Sequence, residues 1–121
     1  MSKKLLEFGS KEELTKVEKY KLTSSNDMVS IKEVEDGDTI AVKAWALFVD
    51  VKEDEEDVTI LSIMDTDGAV YCTNSNTFQR NFEEIADLYT DTGKVGFIIK
   101  KLSGETKAGR PFVNCTLDGE L

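Results

Sequence analysis

The stretch NSNTFQRNFEEIADLY, residues 74–89, decides the fold, because it is a clear helical stripe set between strand-like runs. Its aromatic and aliphatic residues recur at intervals of four, three and four, and therefore share one helix face: Phe78, Phe82, Ile85 and Tyr89. Asn76 is the predicted N-cap, with Gln79 reaching back toward it in a variant of the capping box. A single helix with one apolar face among strands is expected to plug the open end, or cover one face, of a sheet.

Strand-like runs lie on both sides of this helix: 39–52, 58–64, 69–73, 94–102 and 112–117. Three strands, one helix and a final hairpin follow the order of the OB-fold, a five-stranded Greek-key barrel with its α-helix between strands 3 and 4. We therefore predict a mainly β chain with an OB-fold domain over residues 28–121, in which 28–34 is a short edge-strand candidate. A small α+β sheet with one packed helix fits the same order of elements.

Residues 1–27 are predicted to form an N-terminal arm, in which Ser10 to Glu13 has the pattern of a helix start, whereas TKVEKYKL (residues 15–22) alternates as a strand does. The longest strand, 39–52, alternates more clearly. Its two faces are expected to hold Ile40, Val42, Ala44 and Ala46 on one side, and Ala41, Lys43, Trp45 and Leu47 on the other. The adjacent apolar residues Phe48 and Val49 predict a bulge or bend at that point.

The charge of the chain is unevenly distributed. The net charge is −9, which argues against a polyanionic partner for the surface as a whole. Residues 93–117, however, carry five basic side chains against Glu105 alone, a local charge of 5 − 1 = +4, so the remainder carries −13. One interpretation is a basic binding surface on an otherwise acidic protein. The other is a solvated strand edge protected by lysines.

Several classes of function are disfavoured by the composition. The chain has no histidine, which excludes His-based acid–base catalysis, Ser/His/Asp and Cys/His sites and His-containing zinc sites. It has no glycine-rich phosphate loop or nucleophile elbow, and the acidic run Glu53–Asp57 is interpreted as a solvated turn. We therefore predict a protein that is not an enzyme and needs neither metal nor cofactor. Cys72 and Cys115 are interpreted as buried apolar residues.

The location of the protein is predicted from two absences in the sequence. No apolar run approaches the roughly 20 residues that span a bilayer, and the first residues, MSKKLLEF, lack the apolar core of a secretory signal. A cytoplasmic protein without membrane contact is therefore expected, and this compartment argues against a disulfide between the two cysteines.

An OB barrel binds ligands on the face of its second and third strands and through the loops after strands one and four, here 53–57 and 103–111. Tyr71 and Phe112 alternate with residues assigned to the core and are expected to project outward; Trp45 fits a stacking platform and a core position equally well. Basic side chains beside aromatic ones suit single-stranded nucleic acid. The predicted nucleic-acid-binding residues are Lys43, Trp45, Tyr71, Lys100, Lys107, Arg110 and Phe112.

Three stretches also resemble a known family: SSNDMVSIKEVEDGDTIAVKAWALFVDV (24–51), TILSIMDTDGAVYCTNSNTFQRNFEEI (59–85) and LSGETKAGRPFVNCTL (102–117). Their most specific pieces are DGAVYCTNSNTF and KAGRPF. They are similar to the small single-stranded DNA-binding proteins of tailed bacteriophages of Gram-positive hosts. The resemblance implies an OB-fold that coats single strands during phage replication or recombination, independently of sequence and without a cofactor. It also implies stacking by Tyr71 and Phe112 and backbone contacts by Lys107 and Arg110.

The expected partners are single-stranded DNA and, through the resemblance, replication or recombination proteins of a host cytoplasm. Many single-strand binders end in a long acidic tail that recruits partner enzymes, and this sequence ends just after its last strand. Recruitment through such a tail is therefore not expected. Monomer and dimer are both open, and the alternative function is an acidic protein-interaction module, either a viral inhibitor or a nucleic-acid mimic.

Overall fold

A computed structural model describes residues 2–10, 15–23, 28–51, 58–90 and 96–120. The first half of the chain forms β1 (Ser2–Ser10), α1 (Lys16–Thr23), β2 (Val29–Ser30), a 3-10 turn (Ile31–Glu33), β3 (Thr39–Val51) and β4 (Val58–Asp65). The second half forms β5 (Val70–Thr73), α2 (Asn76–Thr90), β6 (Phe97–Glu105) and β7 (Pro111–Glu120).

All seven strands belong to one curled sheet, a half-barrel. Six of them follow the order β2-β5-β4-β3-β6-β7, and β1 pairs with β3 beside this path. Among the described strands, β2 and β5 are the one pair that runs parallel. The predicted mainly β class is confirmed and the architecture is consistent with an OB-like fold, but the predicted details differ. The described residues form seven strands rather than five and two helices rather than one, and α2 follows the fifth strand in chain order.

Strand β3 changes partners along its length. Its first part, residues 39–42, pairs with β6, whereas residues 44–51 pair with β1. The register with β4 shifts between Val42 and Ala44, which places a bulge at Lys43. The bulge or bend predicted at Phe48 and Val49 is not found in the pairing of β3 with β4. The irregularity near Phe48 lies in β1, whose register with β3 shifts between Leu5 and Glu7.

The bulge at Lys43 reverses the faces of the strand from Ala44 onward, because one extra residue shifts the alternation by one position. Ile40 and Val42 share the main apolar cluster with Trp45 and Leu47. Ala44, Ala46 and Phe48 belong to a second cluster. The predicted grouping of Ala44 and Ala46 with Ile40 and Val42 is wrong for the same reason.

The two clusters lie on opposite faces of the sheet. The main cluster is covered by α2, whose predicted stripe is confirmed, since Phe78 and Phe82 are fully buried and Ile85 and Tyr89 nearly so. The second cluster contains Leu22 of α1. β4 is buried on both faces from Leu61 to Met64.

The start of α2 differs from the predicted cap. Asn76 is the first helical residue, and Ser75 is the capping side chain, with its Oγ accepting from the N–H of Phe78 at 3.3 Å. Gln79 does not reach back to Asn76. It is buried, and its Nε2 donates to the carbonyls of Thr59 at 2.9 Å and Thr73 at 3.0 Å. Gln79 therefore anchors the helix to the sheet.

The predicted strand at residues 15–22 is instead helix α1. The N–H of Thr15 donates to Glu18 Oε1, and the N–H of Glu18 donates to Thr15 Oγ1, both at 3.1 Å, which is a reciprocal capping box. Leu22 is the one buried residue of this helix, and its carbonyl accepts from the hydroxyl of Ser62. A helix with a single buried residue leaves no apolar stripe in the sequence.

Candidate nucleic-acid interface

The predicted basic loop is the tip of the β6–β7 hairpin. The N–H of Thr106 donates to the carbonyl of Arg110 at 2.9 Å, and the N–H of Gly109 donates to the carbonyl of Thr106 at 2.8 Å. Gly109 has a φ of 81°, a conformation that glycine adopts without strain. Lys107 and Arg110 are both exposed here, and among the described residues neither forms a salt bridge. Two cations are therefore presented to solvent by a closed turn.

Phe112 stands at the base of the same turn. It pairs across the hairpin with Gly104, and its half-buried ring lies over that glycine, so that a Cβ at position 104 would be 2.6 Å from Phe112 Cζ. Phe112 alternates with Val113, which belongs to the main cluster, and so it points to the opposite face of β7. The ring therefore stands on the same hairpin as Lys107 and Arg110, with one side supported by backbone.

The other two lysines of the basic segment within β6 are already paired. Lys100 Nζ lies 3.4 Å from Asp118 Oδ1, with both side chains more than one-third exposed. Lys101 is buried and its Nζ lies 2.6 Å from Asp36 Oδ1. Lys100 can exchange its carboxylate for a phosphate, because exposed ion pairs are weak. Lys101 cannot contact DNA in this way, because its side chain is buried and paired with Asp36. Lys94 lies outside the described residues.

Lys43 occupies the bulge of β3 and is exposed, but it is engaged by α1. Its Nζ lies 2.9 Å from Glu18 Oε2. The N–H of Thr15, and secondly Lys43, lower the pKa of the Glu18 carboxyl, so the partner of Lys43 is negatively charged at neutral pH.

Trp45 lies in the core. It is 3 % exposed, and its ring meets Phe82 edge to face with centroids 5.7 Å apart. The bulge at Lys43 is the reason, because it turns Trp45 to the face that α2 covers. Of the two interpretations of Trp45, the structure supports the core position, and the side chain offers no surface on which a base could stack.

Tyr71 does not project outward as predicted. It packs against the main cluster on the inner face of the sheet while remaining partly accessible. Burial, and secondly the negative charges of Asp65 and Asp67, raise the pKa of its phenol. Since Phe112 points to the other face, Tyr71 and Phe112 do not form one continuous platform, and the two nearby carboxylates would repel a phosphate beside Tyr71.

The structure therefore gathers only part of the predicted site. Lys107, Arg110 and Phe112 share one hairpin, and Lys100 lies further along the same strand pair. Trp45 and Tyr71 face the main cluster, and Lys43 is held at α1. The acidic run at 53–57 lies outside the described residues. The roles of all the predicted site residues in DNA binding stay predictions.

A groove that sequence reasoning missed lies on the outer face of the sheet. Its cavity volume is about 360 Å³, and its lining residues come from β2 to β5 and the segments beside them: Ser30, Lys32, Asp50, Val58, Ile60, Cys72, Thr73 and Asn74. The groove forms because β2 pairs in parallel with β5, which brings together residues about 40 positions apart in the chain. No local pattern signals such a pairing.

Neither a cluster of metal-ligating side chains nor a membrane-spanning helix is found among the described residues. No group of three or more His, Cys, Asp or Glu side chains among them is arranged to hold a metal ion. Neither described helix is long and apolar enough to cross a bilayer.

A family model described as phage single-stranded DNA-binding protein matches residues 7–118, which is 112 of the 121 residues. The match includes the whole β6–β7 turn and every predicted site residue. No curated protein and no solved structure matches the chain.

Proposed function

Since this chain belongs to the phage single-stranded DNA-binding protein family, we propose that it coats single-stranded DNA, independently of sequence and without a cofactor, during phage DNA replication or recombination. In this role the protein binds DNA stoichiometrically and catalyses no reaction. Its place is the cytoplasm of the infected host, where replication or recombination proteins are the partners that share the same strand.

The observation that supports this most directly is the β6–β7 hairpin. Exposed Lys107 and Arg110 can neutralise phosphates, and the ring of Phe112 beside them can accept an unstacked base. Stacking on an aromatic side chain contributes roughly 1–3 kcal/mol per base and is tolerant of sequence. Phosphate neutralisation is equally independent of sequence. Both features therefore suit a coating protein.

The acidity of the remaining surface limits how many phosphates can be held. A net charge of −9 repels DNA over most of the surface, so that only the hairpin and its neighbours gain from contact. With about three phosphate contacts, the plot of log affinity against log salt should have a slope near −2 for single strands. This shallow slope distinguishes the proposed mode from binding by an extensively basic surface.

Fluorescence anisotropy with labelled oligo(dT), an RNA of equal length and a DNA duplex, each at several salt concentrations, tests the proposal. We expect the protein to bind the DNA single strand and to prefer it to the duplex. Arg110→Ala should weaken binding and make the salt slope shallower by about 0.7, the share of one phosphate. Arg80→Ala is the matched control, because Arg80 is the other arginine of the chain and is exposed on α2.

Absence of single-strand binding at low salt would overturn the proposal and favour the acidic protein-interaction module. Equal effects of Arg110→Ala and Arg80→Ala would keep the function but move the interface away from the hairpin.

A further inference from the structure

The groove on the outer face of the sheet carries a second inference. Its volume of about 360 Å³ falls at the small end of the range of ligand pockets, roughly 300–1,000 Å³. Its walls combine the apolar side chains of Val58 and Ile60 with polar groups from Asp50, Lys32 and Asn74. A wall that combines apolar and polar groups in this way suits a flat, partly polar ligand.

The groove continues the face that α1 covers. From Ala44 to Asp50 the pairing of β3 with β4 has no register shift, so Asp50 lies on the same face as Ala46 and Phe48 of the second cluster. Ile60 also packs against that cluster. Among the described residues, helix α1 therefore covers the part of this face around Ala46 and Phe48 but not the part around Asp50.

Asp50 supplies the most specific feature of the groove. Its Oδ1 is enclosed, and among the described residues it receives no hydrogen bond. Enclosed carboxylate oxygens in folded proteins are nearly always paired with a donor. Lys32, which also lines the groove, is exposed. Among the described residues, Asp50 Oδ1 is therefore an acceptor without a donor, and Lys32 places a cation at the edge of the groove.

We propose that this groove receives one unpaired base of the bound DNA strand, with the Asp50 carboxylate accepting a hydrogen bond from an amino group on the base edge. The inference rests on the proposed function, and it adds a base site separate from the hairpin. A phosphate is excluded from the inner side by the negative charge of Asp50, whereas Lys32 is suited to the phosphate that flanks the inserted base.

The chemistry of the acceptor predicts which pyrimidine is preferred. Cytosine presents its N4 amino group as a donor, whereas thymine presents the O4 acceptor at the same position. A carboxylate oxygen that accepts from N4 would face a second acceptor when thymine is bound. At this one position the site should therefore favour cytosine over thymine by about 3-fold to 10-fold, the effect of one hydrogen bond, within a mode of binding that otherwise tolerates any sequence.

The first test uses Cys72, which lines the groove and is partly accessible. The rate at which a disulfide reagent such as DTNB modifies this thiol should fall several-fold when a saturating cytosine oligonucleotide is bound. The other cysteine, Cys115, is buried, and burial raises its pKa to about 12, which makes it slow to react. The variants Cys72→Ser and Cys115→Ser assign the signal to one thiol.

The second test compares oligo(dC) with oligo(dT) by anisotropy in the wild type, in Asp50→Ala and in the control Glu35→Ala. Each variant removes one negative charge, but Glu35 lies in an exposed turn. Because the two homopolymers also differ in base stacking, the informative quantity is the dC-to-dT affinity ratio of each variant relative to wild type. That ratio should fall about 3-fold to 10-fold in Asp50→Ala and stay unchanged in Glu35→Ala.

The outcomes separate the groove from the function as a whole. The groove is not a base site if the protein binds DNA but the bound oligonucleotide leaves the rate of Cys72 modification unchanged and Asp50→Ala has the same dC-to-dT affinity ratio as Glu35→Ala. The proposed function stands in that case. If no single-stranded DNA binds under any condition, both are overturned. Protection of Cys72 together with a lowered ratio in Asp50→Ala supports the proposal.

Discussion

The ring of Phe112 lies directly over Gly104, its partner across the β6–β7 hairpin. A Cβ at position 104 would be 2.6 Å from Cζ of the ring and 3.1 Å from both Cε atoms, closer than a side chain can approach. The glycine therefore matters because it leaves room for the ring. One side of the ring therefore lies against the backbone of Gly104, on the hairpin whose turn carries Lys107 and Arg110.

Phe112→Ala is expected to weaken binding of single-stranded DNA by the free energy of one stacked base, about 1–3 kcal/mol, with little change in the salt dependence. The salt slope is unaffected because no phosphate contact is lost. Phe112→Trp should retain binding. A titration with labelled oligo(dT) at two salt concentrations measures both quantities, and full affinity in the alanine variant would show that the ring is not a stacking platform.

Gly104→Ala is expected to displace the ring without unfolding the hairpin, because the atoms in the way belong to the far end of a side chain. Alanine also suits a strand interior better than glycine, by roughly 0.5–1 kcal/mol. We therefore expect near wild-type stability in urea denaturation together with weaker DNA binding. In the background of Phe112→Ala the same substitution should have no further effect on affinity, and an additive loss would contradict the coupling of the two residues.

Lys43→Ala is expected to change the DNA affinity by less than about twofold, because Lys43 lies in the β3 bulge beside α1 rather than on the β6–β7 hairpin, so that no phosphate contact is lost with it. Glu18 remains charged at neutral pH, since the N–H of Thr15 and secondly Lys43 lower its pKa. Parallel titrations of Lys43→Ala and Arg110→Ala give the comparison. A loss as large as that of Arg110→Ala would show that Lys43 leaves Glu18 to contact DNA.

The elements that were predictable are those whose signal is local. The stripe of α2 is visible in the sequence because Phe78, Phe82, Ile85 and Tyr89 all face one core. The strands β3 to β7 are visible because each is a run of apolar residues, either alternating or continuous, bounded by turn residues. Helix α1 was missed since Leu22 alone is buried, although Thr15 and Glu18 form a capping box with the spacing that marks a helix start. That spacing was the available signal.

The predicted site was less accurate because the faces of β3 depend on pairing with distant strands. Nothing in the sequence around Lys43 marks a bulge, which arises where β3 changes partner from β6 to β1. Lys101 is another case. A lysine is expected at the surface, and Lys101 can be buried only because its Nζ pairs with the carboxylate of Asp36, 65 residues earlier in the chain.

The emission of Trp45 should show a buried indole, with a short-wavelength maximum and slow quenching by acrylamide, because the side chain is 3 % exposed and packed on Phe82. Oligo(dT) should leave this emission largely unchanged. Trp45→Ala should lower the free energy of unfolding by about 3–5 kcal/mol, measured by urea denaturation. Strong quenching by DNA would instead mean that a base reaches Trp45 and that α2 moves away from the sheet.

Asp36→Asn is expected to destabilise the fold, because it leaves the buried ammonium of Lys101 without a counter-charge. The Nζ of Lys101 donates to Asp36 Oδ1, and so does the hydroxyl of Ser103, both at 2.6 Å. Asp38→Asn is the control in the same turn, since only the backbone of Asp38 bonds to Lys101. It should change the free energy of unfolding by no more than about 0.5 kcal/mol.

The same pair predicts a pH dependence. The hydrogen bond from Lys101, followed by that from Ser103, lowers the pKa of the Asp36 carboxyl from its ordinary value of 3.8. A carboxyl with a lowered pKa stabilises the folded state fully above that ordinary value, and this contribution is lost as the pH falls toward the lowered one. The stability difference between wild type and Asp36→Asn, from urea denaturation at several pH values, should therefore be constant near neutral pH and narrow below about pH 4. A difference that stays constant down to pH 2 would show that the carboxylate charge of Asp36 does not hold Lys101 in the interior.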